Sequence, residues 1–226
     1  MATLQVLDLG PCDYACALDI QKALVEKVKG ADPEQAFIIF VEHTPPVITI
    51  GRSASGTANV VASRRCLAEE GVELVETSRG GDVTYHGPGQ LVAYPIIRLD
   101  LHGRDIHKYL RSLEEVLINV LRGFGISGER AEGMTGVWVG REKVAAIGIA
   151  ITRWVTYHGV ALNVSTDLSH FGLIVPCGLS DRTVTSIEKL LGRQVGLDEV
   201  KPKVLKCFSE VFGFDGWADA SGGIAE

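Results

Sequence analysis

The residues from about Ile106 to Phe124 constrain the fold most. Ile106, Tyr109, Leu110, Leu113, Val116, Leu117, Val120, Leu121 and Phe124 advance in steps of three and one, the signature of a helix with one apolar stripe. Such a stripe must be covered, and β-rich runs on either side can cover it. Ala36 to Val41 (AFIIFV) and Val47 to Ile50 read as buried strands, separated by His43-Thr44-Pro45-Pro46 and expected to form a hairpin. Gly136 to Val139 and Lys143 to Ala150 read as two more, joined by a tight turn at Gly140-Arg141-Glu142, and another strand runs from Val155 to Val164. Tyr14 to Val28 has helical spacing with Gly30 as its stop, Thr185-Ser186-Ile187-Glu188 fits a capping box for a short helix closed by Gly192, and an amphipathic helix spans Val200 to Phe212. Strands and helices alternate without a regular βαβ rhythm, so the expected class is α+β, a mixed sheet flanked by helices. With 226 residues and no internal repeat, one domain over 1–226 is expected, with a flexible small-residue tail at 218–226.

Composition excludes several functions. At 46% hydrophobic and 22% charged the chain is globular rather than disordered. Its formal charge of −6 argues against a protein that grips nucleic acid. The five cysteines are scattered, with no CxxC pair and no zinc-finger spacing, which fits a reducing compartment. No basic segment followed by an apolar one opens the sequence and no apolar run is long enough to span a bilayer, so a cytoplasmic location, no membrane and a monomer are expected. Gly123-Phe124-Gly125-Ile126-Ser127-Gly128 spells GxGxxG, but it follows a helix where a dinucleotide fingerprint needs a strand, so it reads as helix termination. His43, His102 and His107 read as surface or loop histidines and no metal is expected.

Two segments carry chemistry. Arg79-Gly80-Gly81-Asp82-Val83-Thr84-Tyr85-His86-Gly87-Pro88-Gly89-Gln90 places polar groups and four glycines between strands Val72 to Glu76 and Leu91 to Leu99. Glycines let backbone approach a ligand, and Arg79 and His86 suit a carbonyl or an anion, although a plain hairpin connection explains the same residues. In Val175-Pro176-Cys177-Gly178 the cysteine sits on a sharply turned backbone, whereas Cys12, Cys16, Cys66 and Cys207 suit core packing. A nucleophilic thiol needs a base or a positive neighbour, because free thiol is mostly protonated at pH 7. His86, His158, His170 and Lys143 are the candidates, leaving open a Cys/His hydrolase, a thiol paired with Lys143, or an inert turn. Lys143 opens the apolar strand Val144 to Ile151, where it is either desolvated or a solvated strand end.

Three strings in order, RGGDVTYHGPGQLVAYPI (Arg79 to Ile96), KVAAIGIAITRWVTYHGVALNV (Lys143 to Val164) and VPCG (Val175 to Gly178), resemble the lipoyl(octanoyl) transferase family of lipoic acid biosynthesis, over Leu7 to about Phe214. The resemblance implies a largely antiparallel mixed sheet of the class II aminoacyl-tRNA synthetase and biotin synthetase kind. It implies transfer of octanoyl from the phosphopantetheine thioester of acyl carrier protein to a lysine of lipoyl domains of 2-oxoacid dehydrogenases or of glycine-cleavage H protein. No ATP, metal or bound cofactor is implied. By similarity Cys177 is the nucleophile and Lys143 its partner, Arg79 to His86 is the substrate loop, and Ala146, Ile147, Gly148, Gly159, Val160 and Ala161 line the acyl pocket. Small residues Ala145, Ala146, Gly148 and Ala150 would leave room for the chain. Arg52, Arg79, Arg141 and Arg153 would form a basic mouth for the acidic carrier. An ATP-dependent lipoate ligase, a non-catalytic acyl-binding module and a thiol hydrolase are the alternatives.

Overall fold

Strand-forming runs dominate the described chain. A computed structural model describes residues 2–30, 35–54, 56–175 and 183–221. In chain order the elements are β1 (Thr3–Cys12), α1 (Tyr14–Gly30), β2 (Ala36–His43), β3 (Val47–Ile50), α2 (Arg64–Glu69), β4 (Glu73–Glu76), β5 (Val83–His86), β6 (Gln90–Ile96), α3 (Ile106–Arg122), β7 (Val137–Val139), β8 (Glu142–Thr152), β9 (Val155–Asn163), β10 (Thr183–Val184), α4 (Ile187–Leu191), α5 (Leu197–Phe212) and β11 (Gly216–Asp219).

In β2 both alternating sets of side chains are buried, so the strand lies between two layers. Ile38 and Phe40 join α3 and α5 on one face, and Phe37, Ile39 and Val41 join α1 on the other. The large sheet runs β10-β8-β9-β6-β2-β1-β11, with β7 also on β8. Among the described residues, four of the pairings between its strands are antiparallel and three parallel. It is the mixed sheet with helices expected. A second sheet, β4-β3-β5, has its own core around Ile48, Val83 and Tyr85. No helix among the described residues is long and apolar enough to cross a membrane.

α3 follows its stripe: Asp105 caps it by accepting from the Lys108 N–H, Leu113, Val116, Leu117, Val120 and Leu121 are buried, and Gly123 ends it. The GxGxxG residues are accordingly a turn and loop. Four expectations need correction. The hairpin of β2 and β3 does not form, because β1 and β6 occupy both edges of β2 and β3 pairs with β4 and β5. The short helix α4 is capped by Ser186, whose hydroxyl accepts from the Lys189 N–H, one residue later than the box suggested. α5 begins at Leu197, where Asp198 and Glu199 suit the positive end of a helix. Ala218 and Asp219, expected in the tail, belong to β11 and pair with β1, while 222–226 lie outside the described residues.

Leu117 has no solvent exposure and sits where α3 meets the sheet. Leu117→Ala is expected to lower stability by about 2–5 kcal/mol, read as a reduced urea midpoint with an unchanged slope.

Candidate active site

The Arg79 to His86 segment is more than a loop, since its second half is β5, paired antiparallel with β3. Its first half crosses to the large sheet, where the Gly80 N–H donates to the Ile149 carbonyl at 2.8 Å. Arg79 is buried and donates from Nε and Nη2 to the Thr49 hydroxyl at 3.0 and 2.8 Å, and from Nη2 to the Thr49 carbonyl at 2.6 Å. Gly51 permits this arrangement: a Cβ there would lie 2.3 Å from the Gly81 carbonyl oxygen and 2.7 Å from Arg79 Nη1.

Beneath this segment a cavity of about 350 Å³ lies against β6, β8 and β9, within the size range of small-ligand sites. Its wall includes Arg79, Gly80, Gly81, Asp82, Val83, Thr84 and His86, then Lys143, Ala146, Ile147 and Gly148, and then Gly159, Val160 and Ala161. Ala146 pairs with Ala161 and Gly148 with Gly159 across β8 and β9, so the small residues form one floor. A Cβ on Gly148 would sit 3.0 Å from Arg79 Cδ, and one on Gly159 would sit 2.2 Å from the Ala93 carbonyl oxygen. Tyr85 is not in this wall. Its ring packs in the second sheet's core, and its hydroxyl meets His170 Nδ1 at 3.0 Å. Ala145 is in the wall and Ala150 is not.

Lys143 enters β8 beside Trp138 of β7, with Nζ 5.3 Å from the indole ring centre. Gly136, at φ +124°, clears its path: a Cβ there would lie 2.6 Å from Lys143 Cε. The Gly136 N–H donates to buried Glu114, which also accepts from Arg111 and Arg130 and so anchors the segment carrying Met134 and Thr135 to α3. Cys177, with Pro176 and Gly178, lies outside the described residues. The residues on either side of that segment, Phe171 and Val184, both line the cavity, and Val184 pairs with Lys143.

Three buried histidines stand at the cavity, His86 and His158 in its wall and His43 behind His86. His43, expected at the surface, is fully buried at the end of β2, where Nδ1 donates to the Cys12 carbonyl and Nε2 accepts from the Tyr94 hydroxyl at 2.7 Å. The periodicity of AFIIFV extends to it, which was the missed signal. His158 stands at φ +56° and its Nε2 is 3.2 Å from Ser78 Oγ. Gln90 donates from Nε2 to the Tyr85 carbonyl and to Asn163 Oδ1, which fixes its amide and makes His86 Nδ1 the donor to its Oε1 at 2.8 Å. Burial drives His43 down to about 4 and His158 down to about 3, with Arg79 adding repulsion at His158. Burial and then His43 hold His86 well below the ordinary value.

The basic mouth does not assemble as expected. Arg79 is buried, and Arg141 and Arg153 flank opposite ends of β8, roughly 40 Å apart for a strand of that length. Arg52, Arg141 and Arg153 are exposed. Cys16 is also not a core residue: the buried face of α1 runs through Tyr14, Ala17, Gln21, Leu24 and Val28, and Cys16 points elsewhere.

A mixed sheet whose small-residue floor is roofed by a glycine-rich segment, with a lysine set into the wall, defines a catalytic domain of the lipoate and biotin protein ligase fold. Solved structures carry the same frame. Lipoate-protein ligase A bound with ATP superposes with a TM-score of 0.80 at 20% identity, covering 96% of this chain and 88% of that one. A biotin protein ligase from Aquifex aeolicus in complex with biotin and ATP gives 0.52 at 15% identity, covering 94% and 71%. The lipoyl protein ligase A/B catalytic domain matches residues 13–209. Curated relatives include octanoyltransferases of Alkaliphilus metalliredigens, 49% identical over 94% of this chain and 96% of that protein, and of Caldicellulosiruptor saccharolyticus, 50% identical over 93% and 89%. The chain belongs to the lipoyl protein ligase A/B catalytic-domain family, in its octanoyltransferase group.

Two outcomes test the site's construction. Thr49→Val keeps the shape but removes the hydroxyl acceptor of Arg79, and is expected to cost about 1.5–3 kcal/mol in urea unfolding. Thr49→Ser, which keeps the acceptor, is expected to lose about 1 kcal/mol or less. The second concerns pH. In the unfolded chain the three histidines titrate near the ordinary value of about 6.5, so below it the unfolded state takes up protons the folded state refuses. Stability is therefore complete above about pH 6.5 and falls toward pH 4 by about 1.4 kcal/mol per histidine per pH unit. Urea midpoints across that window should show the slope, and His158→Gln should reduce it by about a third. A flat profile would contradict neutral, buried histidines.

Proposed function

We propose that this chain, as a single catalytic domain, transfers octanoyl from the phosphopantetheine thioester of acyl carrier protein to a lysine amine of lipoyl domains and glycine-cleavage H protein. The observation that carries the reading is the cavity described above: its small-residue floor from β8 and β9 leads to Lys143, and its wall matches the stretches expected to hold the acyl chain. The resemblance to octanoyltransferases at about half identity supports the same assignment.

In this mechanism the Cys177 thiolate attacks the thioester carbonyl, an S–acyl bond forms on the enzyme, and the phosphopantetheine sulfur leaves as a thiolate that takes a proton from the Lys143 ammonium, which becomes neutral. One thioester replaces another, so the step needs neither ATP nor metal. An ammonium at Lys143 favours the thiolate when the two are close. The acceptor amine then attacks the enzyme thioester, an amide forms, Cys177 departs as thiolate, and the amine's proton passes to Lys143 once that group is neutral. Burial disfavours the imidazolium forms of His86 and His158 and makes both weak bases, which favours Lys143 over a Cys/His hydrolase. Arg79 serves as the roof's anchor, and Gly80 to Thr84 supply backbone close to the chain.

The decisive measurement is intact mass after incubation with octanoyl-acyl carrier protein without ATP, for wild type and Cys177→Ser. One octanoyl gained by the wild type, labile to hydroxylamine, absent from Cys177→Ser and discharged onto a lipoyl domain is the expected result. Lys143→Ala should slow loading by two orders of magnitude or more. Acceptor modification that requires free octanoate and ATP would instead make the protein a ligase.

A further inference from the structure

Outside the cavity, the corner between β1 and α1 gathers three metal-ligating side chains. The sulfurs of Cys12 and Cys16 and a carboxylate oxygen of Asp13 lie within 4.8 Å of one another. We propose that Cys12, Asp13 and Cys16 form a binding site for a thiophilic divalent cation of the zinc class.

The backbone fixes this grouping. β1 ends at Cys12 and α1 starts at Tyr14, so Asp13 sits at the corner and its Oδ1 accepts from the Cys16 N–H at 2.8 Å. That bond orients the carboxylate and brings the first turn's cysteine back over the strand end. Tetrahedral zinc, with bonds of about 2.0–2.3 Å, needs its ligand atoms roughly 3.3–3.8 Å apart. Closing the present spread takes about 1.5 Å at most, within reach of side-chain rotation at Cys16, which is exposed. Two thiols with one carboxylate select zinc-like ions over magnesium or calcium, which prefer oxygen throughout. The fourth position faces solvent and takes a water. Cys66 and Cys207 belong to no such group among the described residues.

The site also touches the cavity's supports. The Cys12 carbonyl accepts from His43 Nδ1 at 3.2 Å and from the Thr44 N–H at 3.1 Å, and His43 holds Tyr94 on the cavity wall. An ion at this corner would brace that junction without meeting substrate.

The test uses the full chain, freed of metal and kept in a non-thiol reductant. Cadmium chloride is titrated in while the ultraviolet cadmium–thiolate absorption is recorded, and zinc is then used to displace it. One equivalent is expected to bind, with zinc competing and protecting Cys12 and Cys16 from alkylation. Cys12→Ser and Cys16→Ser should each abolish that equivalent, and Asp13→Asn, which retains a capping oxygen, should weaken it by about tenfold or more. Cys16 is exposed, so its variant carries the test even if Cys12→Ser disturbs β1. Absorption that survives in both serine variants, or that disappears only in Cys177→Ser, overturns the proposal. So does air oxidation to a Cys12–Cys16 disulfide with no metal uptake by the reduced protein.

Discussion

The buried guanidinium of Arg79 is the interaction on which the cavity depends. It is anchored to Thr49 in the second sheet, while the next residue, Gly80, donates to Ile149 in the large one. Two sheets with separate cores are thereby joined at the roof, and Gln90 of β6 links them again by donating to the Tyr85 carbonyl of β5. Water cannot replace these bonds at a buried position, so the charge must keep its acceptors or disrupt the roof. Close backbone approach completes the joint, because Gly51, Gly148 and Gly159 each stand where a Cβ would press on a neighbour.

Beside that joint a polar chain runs from His86 to the backbone of Lys143. His86 donates to Gln90, Gln90 to Asn163, Asn163 Nδ2 to the Thr185 carbonyl, and the Thr185 N–H to the Lys143 carbonyl. Each member is a neutral group, and the histidines are held neutral by burial. The result is a wall of fixed donors and acceptors whose histidines stay uncharged near neutral pH. Satisfied networks of this kind also specify one arrangement of the core.

Much of the frame was legible in sequence because its signals were periodic. α3, β3, the β7–β8 turn and β9 follow from spacing and turn chemistry alone. β1 was missed: Leu4 and Val6 are buried while Thr3 and Gln5 are less so, but ten residues with a weak alternation resemble an irregular lead-in to α1. The absent β2–β3 hairpin shows a different gap, since strand partners are chosen by long-range edges that local sequence does not contain. In the site, Lys143 and the Arg79 to His86 segment stood out by chemical type. Thr49, Gly136, Glu114 and Trp138 did not, because ordinary residues become supports only when folding brings them to Arg79 or Lys143. Cys12 and Cys16 appeared scattered for the same reason, since a strand-to-helix corner is what makes them neighbours.

The ligase likeness sharpens what the frame decides. A TM-score of 0.80 at 20% identity shows a common fold, and the fold fixes a cavity shaped by sheet geometry. An acyl chain is held by such a cavity in the same way whether its carboxyl end arrives as thioester or adenylate, because apolar contacts do not distinguish the leaving group. Discrimination must then occur at the mouth, where the leaving group sits. There Lys143 is packed on Trp138 and threaded past Gly136, so its side chain has one path along the wall. A single ammonium suits a thiolate partner, whereas a nucleotide leaving group calls for several donors and a metal.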